Sequence, residues 1–221
     1  MLKRLLILML VLAPSAVSAQ AVTDEAQMVK RAANTVERIR TDPRWANTAN
    51  DVLSKARAVL IVPDLVKGGF IIGAEYGSGV LMTRSPDGSW SSPAFYSIAS
   101  GSVGFQIGLQ DAESMFVIMN DRGLSAIMED KMKLGAAADV SLLVVGAGAE
   151  ASTTTHAGAD IYAFNTSAGL YAGVTLAGSG ILPRPSWNQS YYGAQPSPED
   201  IVITRKYDNP QASHLKDVLA R

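Results

Sequence analysis

Gly69 to Leu81 reads GFIIGAEYGSGVL, and Gly169 to Leu182 reads GLYAGVTLAGSGIL. Both run glycine, three apolar residues, glycine, a short spacer, Gly-Ser-Gly and an aliphatic pair, with spacers that differ by one residue. Glycine repeated inside an apolar strand pattern marks tight bends or the close approach of another backbone. Gly69, Gly73, Gly77 and Gly79 in the first copy, and Gly169, Gly173, Gly178 and Gly180 in the second, are therefore read as structural glycines. The pair predicts two related sheet segments that are neighbours or pseudo-symmetry mates in one closed β-structure.

Short strands surround these copies. Val59–Val62 is a buried run closed by Pro63, and residues 69–83 form a long strand or bent hairpin. Ser85-Pro86-Asp87-Gly88 is a turn by composition. Further strands are expected over 90–98, 102–109, 115–119, 140–149, 160–165 and 169–176, with a short helix over 124–133. Helical spacing is confined to the ends. Val29, Ala32, Ala33, Val36 and Ile39 give residues 24–41 an apolar stripe opposite Lys30, Arg31, Glu37, Arg38 and Arg40. Asp42-Pro43 reads as the cap of a second helix running to about Ala56. After Pro183 the chain looks loop-like, with a short segment over 201–204 and a last helix over 214–220. The fold class expected is α+β, mainly β: an antiparallel β-barrel-like core with N-terminal helices and a short C-terminal helix.

Lys3 and Arg4, the apolar run Leu5–Ala13 and the small residues ending Val17-Ser18-Ala19 compose a secretory signal peptide. The apolar run, broken at Pro14, is too short to cross about 30 Å of hydrocarbon. Residues 1–19 are thus expected to be removed, leaving 20–221 as a single domain exported to the periplasm or cell envelope, soluble or peripheral. With 0 cysteines, disulfides, thiol catalysis and thiolate metal sites are excluded together. Removing Lys3 and Arg4 from the 19 basic residues leaves 17 against 20 acidic ones, a net charge of −3, so bulk attraction to nucleic acid or anionic lipid is not expected and any such binding needs a local basic patch.

The chain offers little chemistry. Its two histidines, His156 and His214, sit in unlike contexts and do not suggest a metal or acid–base site. Neither Gly-Ser-Gly copy, around Ser78 or Ser179, has the Gly-x-Ser-x-Gly elbow that a serine nucleophile needs. Gly146-Ala147-Gly148-Ala149 lacks the third glycine and following helix of a dinucleotide loop. Asp111 and Glu113 read as a solvated turn, and Glu75 as a solvent-facing acid in an apolar strand. No catalytic residue, metal or cofactor is expected.

ARAVLIVP from Ala56, KGGFIIGAEYGSGVLMTR from Lys67 and DGSWSSPAFYSIASGSVGFQIG from Asp87 follow in order. With LGAAADVSLLVVGAGAEA, GLYAGVTLAGSGIL and the late YYG, they resemble the SYLF domain family, also called Ysc84 or DUF500, over about residues 28–203. The resemblance implies a compact β-rich domain without known catalytic activity and with a role in binding lipid. In eukaryotic members lipid binding is attributed largely to the N-terminal basic, amphipathic part. Carried onto this chain, that implies Lys30, Arg31, Arg38, Arg40, Lys55, Arg57 and Lys67 as lipid-binding residues. Asp24, Glu25, Glu37 and Asp42 dilute the positive charge, and an exported protein would not meet the actin associated with fungal members.

Two functions of different kind follow. The first is a non-enzymatic, exported phospholipid-binding protein whose basic helix meets headgroups while apolar residues of the helix or a barrel mouth meet acyl chains. In the second, the amphipathic helix merely covers the core. The chain is then an envelope protein-interaction or structural module without direct lipid binding, with Trp90, Phe95, Tyr191 and Tyr192 as exposed anchors. An outer-membrane barrel and a carboxylate hydrolase are disfavoured by the short, unequal strands and the scarce acid–base groups.

Overall fold

The computed structural model describes residues 23–69, 72–103, 110–129, 140–145, 158–166 and 179–221; the side chains of 67–69, 72–75, 100–103 and 110–111 are not described. The expected signal peptide, Gly146–Ala149, His156 and most of the second glycine copy lie outside the described residues, as does the side chain of Glu75.

Helix α1 (Asp24–Thr41) starts where the Thr23 hydroxyl accepts from Ala26 N, and its last turn carries Arg38 and Arg40. Helix α2 (Ala46–Ser54) follows. Asp42 does not cap it. Asp42 is the C-cap of α1, and its carboxylate is occupied by the backbone N–H of Arg44 at 3.0 Å and by the Arg44 guanidinium.

Seven strands are described: β1 (Ala58–Gly69), β2 (Ile72–Thr83), β3 (Ala94–Val103), β4 (Gln110–Ile118), β5 (Leu142–Val145), β6 (Ile161–Asn165) and β7 (Gly180–Pro183). They form one sheet in the order β5-β6-β4-β1-β2-β3-β7. Every pairing is antiparallel except β5 with β6. The α+β class holds. Among the described residues β5 and β7 are open edges, so "barrel-like" describes this sheet only loosely.

Pro63 does not close the first strand, as its sequence suggested. β1 runs on to Gly69 between two partners, and its register shifts between Ile61 and Asp64 against β2 and between Val62 and Leu65 against β4. The irregularity accommodates a proline that cannot donate to a ladder. It also explains the glycines opposite. A Cβ on Gly79 would lie 2.4 Å from the Ile61 carbonyl oxygen, and one on Gly77 would lie 2.9 Å from Val62. The glycines of β2 make room for the bulged neighbour.

Of the second glycine copy only residues 179–182 are described, and they lie in the same sheet as the first copy. The end of the second copy, β7, pairs with β3, whose other side pairs with β2. Ser78, Ser97 and Leu182 form one row across the three strands, and Gly77, Ile98 and Ile181 another.

Both faces of the sheet are covered. On one, Val59, Ile61, Val80, Met82, Phe95, Met115, Val117 and Phe164 pack under α1, α2 and the C-terminal helices. On the other, Leu60, Val62, Leu81, Tyr96, Phe116 and Ile118 pack with Leu124 and Ile127 of α3 (Asp121–Met128) and with Ile201 and Val202 of α5 (Pro198–Val202). The region after Pro183 is more helical than expected: α4 (Pro185–Tyr192) and α5 both begin with a proline in the first turn, and α6 (Ser213–Ala220) ends the chain. In the first turn proline sacrifices no helical hydrogen bond. Gly193 ends α4 at φ 67°, and Ser197 with Asp200 forms a capping box on α5.

Candidate functional site: the uncovered end of the sheet

The WSSPAF block, from Trp90 to Phe95, is an internal dock. Phe95 N donates to Asn188 Oδ1 at 2.9 Å, Arg184 N to the Phe95 carbonyl at 2.9 Å, and the Tyr192 hydroxyl to the Pro93 carbonyl at 2.7 Å. Phe95 meets Trp187 and Tyr191 edge-on at centroid distances of 5.7 and 5.1 Å. Trp90, Phe95 and Tyr191 are buried and Tyr192 is half-buried against both cores. As a set they are core, which corrects their expected role as exposed anchors: strand aromatics were needed to join β3 to α4.

The seven basic residues assigned by resemblance scatter. Arg38 makes a bidentate pair with Glu113, one of its bonds at 2.6 Å. Arg40 donates to Asn50 Oδ1 at 2.7 Å and to the Val218 carbonyl at 2.6 Å, which ties α1 to α6. Lys55 pairs with Asp51 at 2.7 Å, and Arg57 with Asp121 at 2.7 Å. Arg31 pairs with Asp64 at 3.1 Å while both stay about half exposed. Lys30 is exposed and has no partner among the described residues. The Lys67 side chain is not described; its backbone pairs with Glu75 across the β1–β2 hairpin.

The apolar stripe of α1 faces inward: Met28, Val29, Ala32, Ala33, Val36 and Ile39 are all buried. The exposed apolar surface lies elsewhere. Among the described residues, the large exposed hydrophobics are Val66, Tyr76, Leu182 and Ile203. Three of these share one place. Val66 pairs with Tyr76 on the α1 side of the sheet, beyond the helix, and Tyr76 is followed on that face by Ser78, whose row ends in Leu182. Val66 is 41%, Tyr76 55% and Leu182 50% exposed. Sequence reasoning missed all three, because alternation alone cannot show where the covering helix stops.

Cations border this patch. Arg184 donates to Ser78 Oγ at 2.6 Å and stacks on Trp187 at 3.5 Å from its ring centroid. Arg31 reaches the same row through Asp64, the residue opposite Ser78. Hydrogen bonds from Ser97 and Ser78, with the nearby charge of Arg184, hold the Tyr76 phenol below its ordinary pKa. Apolar and aromatic groups flanked by cations are equipped to meet an amphiphilic surface.

Among the described residues, Glu113 is held by Arg38, Ser179 is buried, and His214 lies 3.8 Å from Glu37. Among the described residues no His/Cys/Asp/Glu group could hold a metal, and no helix is long and apolar enough to cross a membrane.

The fold is an α+β domain with one exposed, cation-bordered apolar face. Comparison then gives its family. The Ysc84 family model, described as "Las17-binding protein actin regulator", matches residues 99–221. The chain is 30% identical over 169 residues to human SH3 domain-containing YSC84-like protein 1, covering 76% of this chain and 49% of that one. It is 31% identical over 172 residues to LAS seventeen-binding protein 3 of Saccharomyces cerevisiae (strain ATCC 204508 / S288c), covering 76% and 37%. The chain belongs to the Ysc84, or SYLF, family, and spans half or less of the length of these relatives. No solved structure matches it.

Proposed function

We propose that this protein is a non-enzymatic, exported phospholipid-binding protein of the cell envelope. The observation that carries the reading is the coincidence of Val66, Tyr76 and Leu182, exposed on one sheet end, with Arg31 and Arg184 beside them. The apolar groups enter the interface between headgroups and acyl chains, and the cations meet lipid phosphates. Helix α1 contributes its polar face only, since its apolar stripe belongs to the core. The relatives' names describe binding and regulatory proteins, which supports binding rather than turnover as the activity. Actin, named in the family description, is not a partner proposed for an exported chain.

Co-flotation of residues 20–221 with neutral and anionic phospholipid vesicles, at low and high salt, tests this. Binding to anionic vesicles that weakens with salt is expected. It should fall in a Tyr76→Asp/Leu182→Asp variant and in a Lys30→Glu/Arg31→Glu variant. Absence of binding to every vesicle would refute the proposal and favour an envelope protein partner.

A further inference from the structure

At the opposite end of the sheet, where β1 begins and β2 ends, a cleft of about 710 Å³ opens between α2, the 85–89 turn and the segment after α5. Among the described residues, Lys55, Arg57, Arg84 and Arg205 line it, against the single carboxylate of Asp121. Asp51 and Asp87 lie behind, paired with Lys55 and with Ser89, and the cations still outnumber the acids.

The three guanidiniums are oriented chiefly by neutral carbonyls. Arg84 donates to the Ser54 carbonyl and to that of Gly88 at 3.3 Å. Arg57 reaches the Arg84 carbonyl at 3.2 Å and Asp121 at 2.7 Å. Arg205 donates to the Thr83 carbonyl at 3.0 Å, the Ser89 carbonyl at 3.1 Å and Ser89 Oγ at 2.9 Å. Carbonyls fix a guanidinium's direction and leave its charge in place. Each guanidinium has five N–H donors, so all three retain donors for a ligand.

Two further features set the cleft apart from a solvated basic face. Arg205 has a backbone φ of 53°, in the left-handed region that a long side chain rarely adopts. Burial and the charge of Arg57 lower the pKa of Arg205, against the opposing pull of Asp87. Like charges are thus held together at a strained residue. Ala56, Val202 and the 40% exposed Ile203 give the cleft an apolar wall beside the cations.

We infer that this cleft is a second binding site, distinct from the membrane-facing patch, and that it takes a phosphate monoester. Four cations set around one lining carboxylate attract a phosphate, guanidinium forks suit its oxygens, and the apolar wall accepts the ester's organic part. The ester is either a soluble metabolite or the exposed headgroup of a lipid such as phosphatidic acid. The site does not depend on the membrane-binding reading, because it uses other residues at the other end of the sheet.

Calorimetric titration of the protein, as purified from cells, with inorganic phosphate and with glycerol phosphate against chloride at matched ionic strength should give saturable binding. Arg84→Gln/Arg205→Gln should weaken it by about tenfold or more. Lys55→Gln, at an exposed side chain that cannot disturb the core, should weaken it about threefold. The Tyr76→Asp/Leu182→Asp variant should bind phosphate unchanged, so this site and the membrane patch fail separately. If the Arg84/Arg205 variant also loses flotation on vesicles containing phosphatidic acid, but not on phosphatidylglycerol alone, the lipid headgroup is the source. If only the soluble titrations respond, a free ester is the source. No saturable binding by the wild type, or equal binding by Lys55→Gln and by a folded arginine variant, would overturn the inference.

Discussion

Replacing Gly79 by alanine puts a methyl group against the bulge of the central strand. The added Cβ would sit 2.4 Å from the Ile61 carbonyl oxygen, 3.2 Å from its carbon and 3.0 Å from Val62 Cγ2. A tolerable carbon–oxygen contact is about 3.3 Å, so the strands must part by roughly 0.9 Å. The obstacle is backbone in a strand hydrogen-bonded on both sides, and it cannot turn away as a side chain could. Overpacking of this kind costs about 1–3 kcal/mol, against a gain of about 0.4–1 kcal/mol from the stiffer unfolded chain. A net loss of about 1.3 kcal/mol is expected. With a urea m-value of about 2 kcal/mol/M, the unfolding midpoint should fall by about 0.6 M. Gly193→Ala is the contrasting control: nothing lies within 4 Å of its added Cβ, and its φ of 67° alone makes the change unfavourable, by about 1 kcal/mol. A Gly79→Ala protein with wild-type midpoint and m-value would refute the close-approach explanation of the glycine pattern.

Three more outcomes are expected. Asp160 is buried and accepts from Asn120 Nδ2 and Arg122 Nη2, both at 2.6 Å, and from Ser141 N at 2.8 Å. Although burial opposes ionisation, these donors, Arg122 foremost, hold its carboxyl well below the usual range. Its stabilisation is therefore complete above the unfolded-state value of about 3.9 and is lost as pH falls toward the folded value. Asp160→Ala should cost about 1.5–3 kcal/mol at neutral pH in urea unfolding, since Arg122 is left exposed to water and only the charge-assisted bonds are lost, and should flatten the acid limb of stability. Ser197→Ala removes the capping box of α5 and should cost about 1 kcal/mol in the same assay. When the full chain is expressed with an export pathway, mass spectrometry of the periplasmic fraction should find a product beginning at Gln20; retention of Met1 would refute export.

What the sequence revealed depended on how local the signal was. The α1 stripe, the Ser85–Gly88 turn and the need for glycine at 77 and 79 were legible because each is a short-range constraint. Gly88 N does bond the Ser85 carbonyl at 2.9 Å, with Gly88 at φ 87°. Pro63 misled because a proline's effect on a strand depends on its partners, and the bulge that admits it exists only once β2 and β4 are in place. The loop-like reading after Pro183 fails because Pro185 and Pro198 each open a helix, the second within the Ser197-Pro-Glu-Asp capping box. Neither site could be assembled from sequence. Val66, Tyr76 and Leu182 come from three strands, while Arg84 joins Lys55 and Arg57 through the pairing of β1 with β2, and Arg205 joins them through the packing of α5 beneath β2.

The burial of α1 decides how this domain would meet a membrane. Met28, Val29, Val36 and Ile39 are at most 2% exposed. Returning four such side chains to the interface means giving up about 1.5–3 kcal/mol of burial for each, or roughly 6–12 kcal/mol of core. The helix would also have to break the Arg38–Glu113 pair and the Arg40 bonds to Asn50 and Val218. A single myristoyl chain, by comparison, secures only marginal membrane attachment, with an association constant of about 10⁴ M⁻¹. Insertion of α1 would therefore gain from lipid about what it forfeits in protein and would leave the sheet bare. A membrane contact made by Val66, Tyr76 and Leu182 carries no such cost, because those side chains already face water. If the domain binds phospholipid vesicles, a disulfide that fastens α1 to β1 should leave that binding intact, whereas Tyr76→Asp/Leu182→Asp should abolish it; the reverse pattern would mean that the helix leaves its seat.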